Sequence, residues 1–132
     1  MRGRLAEDAL AAFLETIPVE FSVVDGDDNV VAWNKHETRI FKRPEGVVGR
    51  NVRDCHPEKS LDKVVQLLTE MKEGKRDKAR FWIDVGEGEG QRKVMIEYYA
   101  LRSPSGEYLG CLEASQDITE IQSLTGQRRI LD

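Results

Sequence analysis

The sequence predicts an α+β fold in which helices cover one face of a five-stranded antiparallel sheet. Three observations lead to this prediction: a hairpin pattern before the helical region, a second hairpin pattern after it, and a fifth strand pattern close behind. Two strands before the helices and three after them can pair into one antiparallel sheet. Short helices over one concave face leave a pocket between the helices and the sheet.

A helix and a hairpin open the chain. Apolar residues recur at helical spacing within residues 5–15, and Pro18 ends the helix. Residues 20–24 and 30–33 are rich in valine and aromatic residues. They flank residues 25–29, whose glycine, asparagine and aspartates suit a hairpin turn. We therefore expect one helix followed by two paired strands.

The middle of the chain predicts short helical turns followed by one longer helix. Gly46 and Gly49 interrupt residues 34–57, although apolar residues there can still anchor a helical cover. Apolar residues then recur at helical spacing, with Gly74 as the C-terminal stop, at Leu61, Val64, Val65, Leu68 and Met71.

Three strands are predicted for the C-terminal half. Residues 79–85 and 94–99 alternate apolar and polar side chains, and the glycine-rich residues 86–90 join them, which indicates a hairpin. The fifth strand is expected over residues 108–116, after a turn that contains proline and glycine.

Composition limits the possible functions. A chain of 132 residues with 39% hydrophobic residues is expected to form one domain. It has 20 lysines and arginines against 24 aspartates and glutamates, so we expect no nucleic-acid or membrane partner. The apolar runs are too short to span a bilayer and no signal peptide is evident, which predicts a cytoplasmic protein. Cys55 and Cys111 are expected to be reduced.

Three motifs, in this order and spacing, resemble the PAS sensor-domain family. Residues 21–34 look like the opening PAS hairpin, and residues 48–52 (VGRNV) are similar to the segment before the long PAS helix. Residues 107–110 and 117–120 resemble the last PAS strand and its junction with the output helix. Three tripeptides further resemble a PAS subgroup found in uncharacterised bacterial and archaeal proteins: Arg39-Ile40-Phe41, Cys55-His56-Pro57 and Phe81-Trp82-Ile83.

The resemblance implies how the chain is divided. Residues 1–16 form an N-terminal helix, residues 17–118 the PAS core and residues 119–132 a C-terminal output segment, so that helices flank the core at both ends. It also implies a homodimer formed through the terminal helices. In PAS proteins, the residues corresponding to Asp117 and Thr119 link the last strand to the departing helix, which makes these two the predicted signal-relay residues.

Cys55 and His56 are the first candidates for cofactor binding. By resemblance, they lie at the pocket wall, where haem-binding PAS domains take their proximal histidine. His56 is therefore the predicted haem-iron ligand, and Cys55 is an alternative ligand or a redox-sensitive thiol. The simpler interpretations are a histidine that caps a helix or hydrogen-bonds locally and a small buried cysteine.

Further candidates for the pocket come from aromatic residues and a second histidine. Trp33, Phe41 and Phe81 are expected to supply apolar surface, or simply to belong to the core. His36 either faces the same cavity or lies exposed at a helix start, since its neighbours are polar. A zinc site is not expected, because no metal-ligand spacing is present.

Glu113 and Ser115 lie on one face of the last predicted strand. If that face looks inward, Glu113 is a buried carboxylate that needs a partner such as a tyrosine hydroxyl, Arg39 or His56. The alternative is an outward face, and periodicity leaves both open. Flavin-cysteine photochemistry is disfavoured because the Asn-Cys-Arg-Phe-Leu motif of flavin photosensors is missing.

Two functions follow from these observations. The first is a sensory or regulatory domain that binds a small molecule or cofactor, haem being the leading candidate, and relays its occupancy through dimer packing and the terminal helix. The second is a cofactor-free domain that serves dimerisation or scaffolding. No enzyme is predicted, since we find no nucleophile paired with a base, no metal-ligand spacing and no phosphate loop.

Overall fold

The computed structural model describes residues 1–35, 40–43 and 45–131. It has the predicted α+β architecture, with all five strands in one antiparallel sheet of order β2-β1-β5-β4-β3. The strands are β1 (Glu20–Asp25), β2 (Val30–Trp33), β3 (Lys78–Val85), β4 (Arg92–Arg102) and β5 (Tyr108–Asp117). The first and last strands are thus neighbours, so the chain leaves the sheet from its central strand.

The helices are α1 (Glu7–Thr16), α2 (Val52–Cys55) and α3 (Glu58–Lys72). The side chain of Asn51 caps α2 by accepting a hydrogen bond of 3.1 Å from the backbone N–H of Arg53. Helix α3 follows the predicted periodicity and buries Leu68 and Met71. Gly74 then adopts a φ of +75°, which glycine allows without strain and which ends the helix.

The core lies between one face of the sheet and helices α2 and α3. On β4, alternate residues point inward, and on β5 the inward positions begin at Cys111. The buried cluster contains Val52, Leu68, Met71, Val94, Ile96, Tyr98 and Cys111. This face of the sheet is called the inner face below, and the opposite one the outer face.

The predicted N-terminal helix is present, whereas the C-terminal end of the chain differs from the sequence prediction. Helix α1 begins at Glu7 and buries none of its side chains. The predicted C-terminal helix is reduced to one 3₁₀ turn, Ile121–Ser123, within the described residues. Ile121 and Leu124 are exposed, and Gly126 has a φ of +62°. A short segment with no core to pack against does not gain enough energy to stay helical.

None of the helices in the described residues combines the length and hydrophobicity of a membrane-spanning segment.

Candidate functional site

A small cavity separates the inner face of the sheet from its helical cover. It encloses about 30 Å³, which is room for about two water molecules. Its walls are chiefly aliphatic, from Val24, Val30, Val47, Val52, Val64 and Leu68. The polar side chains at its wall are Ser22, Arg43, Cys55, His56, Tyr98, Cys111 and Glu113.

Glu113 is the carboxylate of this cavity. It lies on the inner face of β5 between Cys111 and Ser115, which are both 2% exposed. Its carboxylate accepts a hydrogen bond of 2.9 Å from the Tyr98 hydroxyl, and Arg43 Nη2 lies 3.3 Å away. The Glu113 charge is therefore compensated inside the protein, as a carboxylate with a side chain only 16% exposed requires.

Two protonation equilibria are shifted around Glu113. Burial, reinforced by the nearby Glu113 charge, raises the pKa of Tyr98 far above its ordinary value. Burial likewise raises the pKa of Cys111 to about 12, with Glu113 as the next cause. Both groups are therefore neutral at physiological pH.

Two carboxylates attach residues 40–43 to the sheet, and we call them the carboxylate clamp: Glu20 on β1 and Glu113 on β5. Glu20 is 6% exposed and accepts hydrogen bonds from the backbone N–H groups of Ile40 and Phe41. Glu113 holds Arg43 in the same segment. We call residues 40–43 the cover segment. Its position over the cavity thus depends on two charged groups that project from central strands.

His56 ends helix α2 at the cavity wall. Its Nδ1 lies 3.2 Å from the carbonyl oxygen of Val52. Because a carbonyl oxygen can only accept a hydrogen bond, Nδ1 carries the proton, and in the neutral ring Nε2 is then an acceptor. Neighbouring Cys55 is a half-buried free thiol. Within residues 1–35, 40–43 and 45–131, no three His, Cys, Asp or Glu side chains are placed to hold a metal ion.

Comparison with known proteins agrees with this architecture. A sequence model described as "PAS domain" matches residues 10–119. The chain belongs to the PAS domain family. No curated protein sequence matches it.

Solved structures of similar fold include domains from several bacteria. A C-terminal domain from Streptococcus mutans shares 33% identity over 95% of this chain and 94% of that one, with a TM-score of 0.86. The PAS domain of BvgS from Bordetella pertussis is 19% identical over 85% of each chain, with a TM-score of 0.63. A sensory box sensor histidine kinase from Vibrio cholerae is 18% identical over 83% of this chain and 89% of that one, with a TM-score of 0.58.

The structure separates the candidate residues of this PAS domain into two groups. Cys55, His56 and Glu113 meet at the cavity. Ser115 is buried on the same face of the sheet but lines a neighbouring depression beside Glu20 and Asp117. The cavity thus contains one carboxylate, one imidazole and one half-buried thiol from the residues that the sequence singled out.

The aromatic candidates lie outside the cavity wall. Phe41 packs against the core, and Trp33 is partly buried on β2. Phe81 is 41% exposed on the edge strand β3, where its ring stacks on that of Tyr98 at 6.0 Å between centroids. His36 and Arg39 lie outside the described residues.

Some residues of the cavity were not predicted as a group. Cys111 and Tyr98 project from the inner face, and the alternation of β4 and β5 could have identified them. Ser22 pairs in register with Glu113 across β1 and β5. Arg43 carried no usable signal, because its partner lies 70 residues away along the chain.

The PAS junction residues are connected by hydrogen bonds at the end of β5. The Asp117 carboxylate accepts from the N–H of Thr119 at 3.0 Å and from its hydroxyl at 2.6 Å. These bonds lower the pKa of Asp117, with a smaller contribution from Arg92. The Thr119 hydroxyl oxygen in turn accepts from the N–H of Lys93 at 2.9 Å. The segment that follows β5 is therefore tied to β4.

Proposed function

We propose that this PAS domain is a sensory module that binds a small molecule in the cavity and passes its occupancy to the Asp117–Thr119 junction. The carrying observation is the cavity itself, which combines apolar walls with a buried, compensated carboxylate. A few oriented polar groups in an apolar enclosure are typical of small-molecule sites. Family membership supports the sensory role, as does the similar fold of a protein described as a sensor histidine kinase.

The route from cavity to junction runs along one strand. Glu113 and Asp117 are four residues apart on β5, which corresponds to about 13 Å. Strand β5 is hydrogen-bonded to β1 on one side and to β4 on the other. A shift of β5 at Glu113 therefore also moves the residues that hold Thr119. We propose this strand as the path of the signal.

Haem was the leading cofactor predicted from the sequence, and the site fits it only in part. The bond from His56 Nδ1 to the Val52 carbonyl is of the kind that orients a histidine ligand. A cavity of about 30 Å³ is nevertheless many times smaller than a porphyrin. The enclosure does not fit haem, so we propose a smaller ligand. No Soret shift is expected on adding haem, and a Soret band that disappears in His56→Ala would contradict this.

Dimerisation without a ligand is the second candidate function, and a specific surface favours it. Helix α1 exposes Leu10 and Phe13, and the segment after β5 exposes Ile121 and Leu124. These apolar side chains suit a homodimer formed through the terminal segments. A cytoplasmic location and membership of the Cys55-His56-Pro57 subgroup also remain proposals. Neither function requires catalysis.

Native mass spectrometry and fragment screening by NMR test the proposed ligand binding. We expect a bound small molecule in freshly purified protein, or fragments that shift the amide resonances of Cys111 and Glu113. Cys111→Leu fills the cavity from within and should abolish both signals. Ala114→Leu places the same side chain on the outer face of β5 and should preserve them. Binding that persists in Cys111→Leu, or no binding by either method, would refute the cavity as a ligand site.

A further inference from the structure

We infer that the ligand of the cavity is a small aliphatic amine, whose ammonium group replaces the Arg43 guanidinium on Glu113. This inference rests on the proposed function and gives the ligand a chemical class. Three observations support it: the two members of the ion pair are held differently, the Glu113 charge must stay compensated, and the cavity is small with aliphatic walls.

Glu113 is the fixed member of the pair. It pairs with Ser22 on β1 and with Tyr98 on β4, so it lies in the middle of three hydrogen-bonded strands. The Tyr98 hydroxyl also holds its carboxylate at 2.9 Å. A ligand that enters the cavity therefore meets a carboxylate that keeps its position.

Arg43 is the replaceable member. It belongs to the cover segment, which is neither helix nor strand. Its contact with Glu113 is 3.3 Å long, whereas charge-assisted N–H···O bonds are typically about 2.7–2.9 Å. The guanidinium thus compensates the Glu113 charge without an optimal hydrogen bond, and a better-placed cation can take its position.

The buried charge of Glu113 requires a cationic ligand. A buried carboxylate that loses its partner is strongly destabilising, so a neutral ligand that displaces Arg43 leaves Glu113 uncompensated. An anionic ligand would add a like charge beside it. The Cys111 thiol stays neutral because burial raises its pKa to about 12. His56 with Nδ1 protonated has an acceptor at Nε2. A hydrogen-bond donor that carries positive charge therefore matches this wall.

The volume and the aliphatic walls define the rest of the ligand. The cavity has room for about two water molecules, and an outgoing guanidinium vacates the space of its own four heavy atoms, so the ligand has about six heavy atoms. Valine side chains and Leu68 surround that space, which suits a hydrocarbon tail. Loss of the Arg43–Glu113 contact also removes one of the two attachments of the cover segment, whereas the hydrogen bonds to Glu20 remain.

A matched series of compounds tests the ligand class. We would titrate the full chain with n-butylamine, 1-butanol and butyrate, which share a four-carbon tail, and follow the amide resonances of Cys111 and Glu113. Butylamine should bind at least tenfold more tightly than the other two. Equal or tighter binding of butanol or butyrate overturns the inference but leaves the proposed function intact, since a small molecule then still occupies the cavity. Failure of all three also overturns it, and the separate mass and fragment measurements then decide the proposed function.

Two variants with opposite expected effects test the exchange at Glu113. Glu113→Gln should weaken butylamine binding at least tenfold, because the neutral side chain no longer attracts the ammonium. Arg43→Met should strengthen it, because the internal competitor is removed and the aliphatic stem is kept. A loss of butylamine binding in Arg43→Met would show that Arg43 supports the site and does not compete with the ammonium for Glu113, and it would overturn the inference. General unfolding cannot produce both results.

Glu97 provides a control for the loss of negative charge in Glu113→Gln. Glu97 on the outer face accepts a hydrogen bond from the Tyr99 hydroxyl at 2.6 Å and pairs with Arg80 at 2.8 Å. It therefore repeats the Tyr98–Glu113–Arg43 arrangement on the opposite side of the sheet. Glu97→Gln should leave butylamine binding unchanged. Equal losses in Glu97→Gln and Glu113→Gln would show that the compound binds by net charge alone and would overturn the inference.

Discussion

The two cysteines at the cavity differ in their burial. Cys111 and Cys55 both line the cavity, but Cys111 is 2% exposed and Cys55 is half-buried. Burial raises the pKa of the Cys111 thiol to about 12. Only a thiolate is an effective nucleophile, so a protonated, enclosed thiol is chemically inert.

The two thiols should therefore react at different rates. At pH 8, a disulfide reagent such as 5,5′-dithiobis(2-nitrobenzoic acid) should modify one thiol per folded chain rapidly, and Cys55→Ser should remove that fast phase. Cys111 should react only in denaturant. Rapid modification of Cys111 in the folded Cys55→Ser variant would contradict its enclosure.

At the residue scale, the sequence determines which side chains share a face of a strand but not which face is buried. Alternation along β5 placed Glu113 and Ser115 on one face but could not say whether that face was inward. The pairing of β5 between β1 and β4 decides it, since their inner faces meet the helical cover. The tyrosine partner of Glu113 was among the predicted possibilities. Among the described residues, Arg43 pairs with Glu113 and comes from a segment without regular periodicity; the predicted partner Arg39 lies outside the described residues.

At the scale of elements, the strands, the N-terminal helix and the long helix follow from local patterns, whereas the C-terminal end of the chain does not. Alternation of apolar and polar side chains predicted β3 and β4, and turn residues beside short apolar runs predicted β1, β2 and β5. The periodicity of α3 reflects its contact with the sheet. The C-terminal segment has apolar residues at suitable spacing, yet without a packing surface this pattern yields only the turn Ile121–Ser123.

The pairing of β1 with β5 depends on the absence of a side chain at Gly110. A Cβ atom built there would lie 2.1 Å from the carbonyl oxygen of Val24. Gly110→Ala should therefore lower the free energy of unfolding by about 3 kcal/mol, as the strands must separate locally. Gly26→Ala is the control, since nothing lies within 4 Å of its added Cβ. Denaturant unfolding measures both, and equal stabilities would contradict the close strand contact.

The junction at the end of β5 should weaken at low pH. Hydrogen bonds from Thr119 lower the pKa of Asp117 below its ordinary 3.8. A carboxyl group with a lowered folded pKa stabilises the fold above the unfolded pKa, and this contribution is lost as pH falls through the folded value. Exchange protection of the Thr119 amide should therefore decrease below pH 3.8 and be low at all pH values in Asp117→Ala. Protection independent of pH and of this substitution would contradict the bond.

In the whole molecule, the central strand β5 has two roles. It carries Glu113 of the cavity, and it is the strand from which the chain leaves the sheet. Because β5 carries both Glu113 and Asp117, the cavity and the junction belong to one hydrogen-bonded unit. The fold could be predicted from sequence at this scale, since the order of strands and helices resembled that of PAS domains. The cavity volume could not, because it depends on how side chains from distant segments pack.

A titration that follows both ends of β5 at once tests the proposed relay from the cavity to the junction. Butylamine is added to the full chain while the amide resonances of Glu113 and Thr119 are recorded, in the native sequence and in Asp117→Ala. We predict that both resonances shift with one binding curve in the native chain, and that only Glu113 shifts in Asp117→Ala. A Thr119 resonance that stays unchanged while Glu113 titrates in the native chain would contradict the relay from cavity to junction.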